Sequence, residues 1–94
     1  MTQTALVTGA NKGIGFETAK HLLQAGYRVL VGARDQVRGE AAVNELQAFG
    51  DAQLLLLDVA DLSSIEQAVQ TINAQYPDLS LLVNNAGIPG DMHK

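Results

Sequence analysis

Thr8-Gly9-Ala10-Asn11-Lys12-Gly13-Ile14-Gly15 is the stretch on which the fold turns. Just before it, Thr4-Ala5-Leu6-Val7 is a short apolar run that reads as a buried strand. Just after it, Ile14, Ala19, Leu22 and Leu23 can share one face of a helix over 14–25, and Gly26 supplies the stop. The stretch is therefore a strand-to-helix turn rich in glycine. In such a turn Gly9 lets the chain reverse sharply, Gly13 lets the backbone approach a ligand, and Gly15 lets the helix pack close to the strand. The unpaired N–H groups of the helix's first turn then face an anion. A tight turn of this kind needs glycine with or without a ligand, but three glycines beside Lys12 point to an anion. The spacing is G-x-x-x-G-x-G and not the dinucleotide fingerprint G-x-G-x-x-G.

Working outward, the pattern keeps switching between short apolar runs and helical spacing. Arg28-Val29-Leu30-Val31 reads as a second strand closed by Gly32. Residues 37–49 read as a helix, with Ala42, Leu46 and Phe49 on one face and Gly50 as its end. Gln53 to Leu57 is a third strand that runs into Asp58. Leu62, Ile65, Val69 and Ile72 form a helical stripe, capped either by a Ser63/Glu66 box or by Asp61, and ended near Tyr76 by Pro77. Leu79 to Val83 is a fourth strand, followed by Asn84-Asn85-Ala86-Gly87. This β-α-β-α-β-α-β order, with strands apolar on both faces, predicts an α/β fold with a parallel sheet covered on both sides.

With 94 residues, the chain is at most one domain, and its core is thin. It holds no cysteine, which excludes disulfides and thiolate zinc sites and suits a reducing compartment. The longest apolar run, Leu54 to Leu57, is far too short to span a membrane, and residues 1–4 have no signal-peptide character. The expectation is a soluble, cytoplasmic chain. Net charge is −4, divided between +3 over residues 1–38 and −7 over residues 39–94. An acidic chain without a dense basic face is a poor nucleic-acid binder, whereas a small anionic ligand near the first third fits these sums.

Thr8-Gly9-x-x-x-Gly13-Ile14-Gly15 resembles the T-G-x-x-x-G-I-G signature of the short-chain dehydrogenase/reductase family, and Asn84-Asn85-Ala86-Gly87 matches its N-N-A-G signature. Leu57-Asp58-Val59 fits the family's adenine-pocket segment, and the wording from Thr8 to Glu17 is particularly similar to carbonyl-reductase-like members. The resemblance covers essentially the whole chain. It implies a Rossmann-type doubly wound sheet with strand order 3-2-1-4, of which residues 1–94 are the N-terminal part of a single dinucleotide-binding domain. It also implies roles by position. Asn11, Lys12, Ile14 and the glycines Gly9, Gly13 and Gly15 would line the pyrophosphate and the ribose phosphate. Asp58 would accept from the adenine amino group while Val59 flanks the ring, and Asn85, Ala86 and Gly87 would border the ribose. On the residues alone, Asp58 reads as an N-cap or turn residue, and Asn84 and Asn85 as amides tying neighbouring strand ends together.

Asp35 stands where an acid would bind the ribose 2′-hydroxyl of NAD(H) by sequence count. The end of the second strand, however, carries neutral Ala33 followed by Arg34. In the resembling family a base at the Arg34 position, with Lys12 before the second glycine, marks NADP(H) users. Arginine offers a planar fork of donors to a phosphate and lysine adds a point charge, so NADP(H) is the expected cofactor. The competing role for Arg34 is a solvated loop residue paired with Asp35.

The family's chemistry needs a tyrosine with a lysine four residues on. Val31 and Ser80 occupy that position after Tyr27 and Tyr76, so no such pair exists and no catalytic residue is assigned. His21 reads as a surface residue, and His93 lies in the terminal tail. No metal site is expected. The expectation is the cofactor half of a longer NADP-dependent carbonyl reductase or alcohol dehydrogenase, acting on a small carbonyl or alcohol substrate and inactive by itself. Two alternatives are a free-standing nucleotide-binding module and a chain that self-associates through the exposed edge of its fourth strand.

Overall fold

The computed structural model describes residues 3–11 and 13–85. Strand β1 (Thr4–Thr8) leads into helix α1 (Gly13–Gln24), β2 (Arg28–Ala33), α2 (Gln36–Leu46), β3 (Ala52–Leu56), α3 (Leu62–Gln75) and β4 (Leu79–Val83). All pairings are parallel, and the four-stranded sheet runs β3-β2-β1-β4. The expected α/β order and strand order are thus both present.

Alternation along the strands sorts the core into two layers. Val7, Val29 and Val31 pack with Ala19 and Leu23 of α1 and with Ala42, Val43 and Leu46 of α2 on one face of the sheet. Leu6, Leu30 and Leu55 meet Ala68 of α3 on the other. The chain walks outward from β1 to β3 under α1 and α2, then returns under α3 to the far side of β1. The direction of winding therefore reverses between β1 and β4, and in open parallel sheets ligands bind at the carboxyl ends of strands at such a reversal.

Several boundaries differ from the sequence reading for local reasons. Strand β2 does not close at Gly32; Gly32 stays in the ladder opposite Thr8 and Leu55, and Ala33 still pairs with Leu56. Helix α2 ends at Leu46 and not at Phe49. There the Gln47, Ala48 and Phe49 N–H groups turn back on Val43, Glu45 and Leu46, leaving Phe49 37% exposed beneath the Lys20 ammonium. Ile14, expected on the buried face of α1, is 77% exposed at its first turn. Of the α3 stripe, Leu62 and Val69 are exposed and Ile65 and Ile72 half-buried, while the buried residue of the helix is Ala68, which the stripe did not include. Asp61 caps α3, its carboxylate accepting from the Ser63 N–H at 3.0 Å.

The amino ends of the strands are held by charge. Arg28 opens β2 with its Nε 3.5 Å from Asp51 Oδ2 and its guanidinium over the Tyr76 ring. Next to it the Thr4 hydroxyl donates to Asp78 Oδ2 at 2.7 Å, joining the foot of β1 to the turn that enters β4. That hydrogen bond holds the Asp78 carboxyl below the ordinary carboxylate range, with a smaller contribution from the Arg28 charge.

Two outcomes are expected from chemical denaturation. Asp61→Ala should cost about 1 kcal/mol through loss of the cap, whereas Ser63→Ala should change stability by only a few tenths, about 0.3 kcal/mol. Because the folded-state pKa of Asp78 is depressed, its stabilisation is present above the unfolded value of about 3.9 and is lost as pH falls through the lower folded value. The wild-type advantage over Asp78→Asn should therefore be constant near neutrality and vanish in acid; an advantage that grows in acid would contradict the Thr4 assignment.

Candidate functional site

The carboxyl ends of β1 and β4 are clasped together by one hydroxyl. Thr8 Oγ1 accepts from the Asn85 N–H at 2.8 Å, and its own proton faces Asn84 Oδ1 at 3.1 Å and the Val83 carbonyl at 3.4 Å. The Asn85 side-chain amide then reaches the Gly9 carbonyl at 3.4 Å. Both readings of the asparagines that rest on residue chemistry alone, amides tying strand ends together, are realised here.

The glycine turn rises from this clasp. Gly9 has φ +64°, a left-handed conformation that suits glycine, and the N–H groups of Gly9 and Ala10 both point back to the Gly32 carbonyl, at 2.9 and 3.3 Å. The turn is therefore fastened to β2 as well as to β4. Gly13 opens α1 with φ +63° and nothing within 4 Å of where a Cβ would stand. Gly15 is the opposite case. A Cβ there would lie 2.4 Å from the Gly9 carbonyl oxygen and 2.5 Å from Asn85 Nδ2, so only hydrogen fits. The first turn of α1 carries no acidic side chain, and the exposed Ile14 stands beside it. This open N-terminus, with a backbone approach over Gly13, is a fit for a phosphate group. Asn11 is half-buried in the turn, while Lys12, Ala86 and Gly87 lie outside the described residues.

At the neighbouring strand end, Ala33 is buried and Arg34 is exposed. Arg34 has no ion-pair partner among the described residues; Asp35 pairs instead with Arg38, at 3.7 Å. Asp35 is also the N-cap of α2, its Oδ1 accepting from the Val37 and Arg38 N–H groups at 2.9 and 3.2 Å. The competing Arg34–Asp35 pairing is thus not formed, because capping turns the Asp35 carboxylate onto its own helix. Past β3, Asp58 Oδ1 accepts from the Ala60 N–H at 3.0 Å, which is the turn role its position suggested, and Val59 is exposed beside it.

The α3 face holds an apolar hollow of about 300 Å³ lined by Leu6, Val59, Ile65, Val69, Leu79 and Leu82 among others. Its mouth reaches Thr8 and Asn84, next to the clasp. Among the described residues no group of side chains could hold a metal ion, and no helix is long and apolar enough to cross a membrane. His21 is exposed on α1, as its position suggested.

Residues 3–94 match the short-chain dehydrogenase family. The chain belongs to that family. Over 89 residues it is 47% identical to mouse (Mus musculus) retinol dehydrogenase 11, an alignment covering 92% of this chain and 28% of that protein. Over the same length it is 47% identical to pig (Sus scrofa) carbonyl reductase [NADPH] 1, covering 93% of this chain and 31% of the relative. Among solved structures, the Pseudomonas aeruginosa RhlG/NADP active-site complex superposes with a TM-score of 0.86 at 37% identity, over 92% of this chain and 35% of that one. The chain therefore spans about a third of the length of the relatives it matches. The retinol dehydrogenase and carbonyl reductase relatives are oxidoreductases by name.

Sequence reasoning missed the Thr8 hydroxyl as the joint between β1 and β4, although a hydroxyl at one strand end and paired amides at another were both in view. Gly15→Ala tests the close approach. Its methyl would push Asn85 from Gly9, and the expected cost is about 1–3 kcal/mol in a denaturant titration, with phosphate-ligand affinity falling alongside.

Proposed function

We propose that this chain is the dinucleotide-holding half of an NADP(H)-dependent oxidoreductase of the carbonyl reductase or alcohol dehydrogenase type. The observation that carries the cofactor choice is the division of labour at the end of β2. Asp35, the acid that sequence count would assign to an NAD ribose, spends its carboxylate on capping α2 and on Arg38, while Arg34 stands exposed without a partner among the described residues. Neutral Ala33 does not repel a phosphate at the strand end. The carbonyl reductase relative with NADPH in its name and the NADP complex among the solved structures support the same choice.

Each residue's part in this reading follows from what it can donate. The N–H groups of the α1 turn at Gly13, Ile14 and Gly15 hold the pyrophosphate, with Asn11 and Lys12 beside them, and Gly9 sets the turn. Arg34 and Lys12 take the extra ribose phosphate by charge-assisted hydrogen bonds. Asp58 accepts from the adenine amino group through its second carboxylate oxygen, Val59 covers the ring, and Asn85, Ala86 and Gly87 border the ribose. When bound, the reduced cofactor would supply a hydride to a carbonyl carbon, and the oxidised cofactor would take one from an alcohol. Proton exchange at the substrate oxygen calls for an acid that these residues do not provide, since neither Tyr27 nor Tyr76 has a lysine four residues on. The 94 residues alone are accordingly expected to bind cofactor without turnover, and the substrate is read elsewhere. Among the described residues no strand pairs with the outer edge of β4, and a second copy would add one there.

Arg34→Asp should weaken NADPH binding by about 1–3 kcal/mol, roughly 5- to 150-fold, and improve NADH relative to it. Fluorescence titration of both reduced cofactors checks this, and an unchanged NADPH/NADH ratio would remove Arg34 from the site. A Tyr-x-x-x-Lys in the natural reading frame, together with carbonyl-dependent oxidation of NADPH by the purified natural protein, is the expected companion result.

A further inference from the structure

Asp58 is held more firmly than a turn requires. Its N–H donates to Ser64 Oγ at 2.8 Å, its carbonyl accepts from the Asp61 N–H at 3.0 Å, and its Oδ1 accepts from the Ala60 N–H at 3.0 Å. The Leu57 N–H just before it still pairs with the Ala33 carbonyl at 2.9 Å, so the segment leaves the sheet already fixed. Two of these bonds are internal to the turn. The third is not: Ser64 lies in the first turn of α3, and its hydroxyl reaches back out of the helix to a residue beyond the N-cap Asp61. With Oδ1 engaged by Ala60, Oδ2 is the carboxylate oxygen the turn leaves over.

We propose that Ser64 is a positioning residue for base recognition: by fixing the Asp58 backbone it aims the second carboxylate oxygen at the exocyclic amino group of the cofactor's purine. The inference rests on the proposed adenine role of Asp58 and adds a residue that does not itself touch the ligand. A carboxylate only accepts hydrogen bonds, so a correctly aimed Asp58 favours a 6-amino purine over a 6-oxo purine. Selectivity of this kind depends on aim, because a carboxylate free to swing can turn its oxygens to water when the amino group is missing. Removing the Ser64 hydroxyl leaves the Ala60 and Asp61 bonds in place. The turn therefore persists while the direction of the carboxylate slackens.

The test compares NADPH with its hypoxanthine analogue, deamino-NADPH, by fluorescence titration of the protein expressed from its natural reading frame. The readout is the ratio of the two dissociation constants, which a uniform loss of stability or of phosphate contacts does not move. The wild type should prefer NADPH. Ser64→Ala should lower that preference by about 3- to 10-fold, Ser64→Thr should retain it, and Asp58→Asn should abolish it. If Asp58→Asn abolishes the preference and Ser64→Ala leaves it intact, Ser64 has no positioning role and the adenine reading stands. If Asp58→Asn leaves the preference unchanged, or the wild type has none, the adenine reading falls and the inference with it. Should Ser64→Ala fail to fold, amide exchange in the wild type decides: the Asp58 N–H should exchange slowly before any ligand is added, and rapid exchange would overturn the proposal.

Discussion

The joint between β1 and β4 is the constraint on which the rest depends. At this reversal of winding, two strands 75 residues apart in sequence must end level, and no helix connects them directly. The Thr8 hydroxyl does the levelling, since it accepts from one strand end and donates to it at once. Asn85 then extends the tie to the Gly9 carbonyl, against which Gly15 is packed with room only for hydrogen. The start of α1, the glycine turn and the fourth strand thus share a single set of contacts. Displacing any one of them shifts the N–H groups of the first turn of α1, those proposed to meet a phosphate.

Around that joint the side chains divide by what else they must hold. Asp35 and Asp61 occupy equivalent places, each just before a helix, and both spend a carboxylate oxygen on the first helical N–H groups. A capping aspartate is partly neutralised by those dipoles and oriented along its own helix, which leaves it poorly placed to meet a ribose hydroxyl. Arg34 carries no such duty. Asp58 stands between the two cases, with one oxygen used in the turn and one left over.

Most of the architecture was legible because α/β chains announce themselves by changes of period. The strands Arg28-Val29-Leu30-Val31 and Leu79 to Val83 read as apolar runs, and the T-G-x-x-x-G-I-G stretch marks the glycine-rich turn that opens α1. What period could not settle was where an element stops. Gly32 looks like a terminator in sequence, yet a glycine buried between two ladders continues the strand without strain. Phe49 keeps helical spacing with Leu46, but nothing on the sheet reaches it once the helix has run out. Ile14 and Leu62 look like core and are exposed, because a residue in the first turn of a helix projects past the end of the sheet. The site was legible in its backbone features and less so in its joints. A threonine hydroxyl and a serine hydroxyl, Thr8 and Ser64, have no pattern of their own; their partners are identified only when distant strand ends come together.

The two ends of the sheet are fastened by different chemistry, and this separates what disturbs them. At the amino ends, Arg28, Asp51 and Asp78 tie the strands with charged groups, whose hold depends on the carboxylates staying ionised. At the carboxyl ends, Thr8, Asn84 and Asn85 tie them with neutral groups that ions barely affect. Acid therefore loosens the foot of the fourth strand, through Asp78, while its head stays fastened. The sheet thus yields to acid first at the end remote from the glycine turn, and the turn itself is reached last.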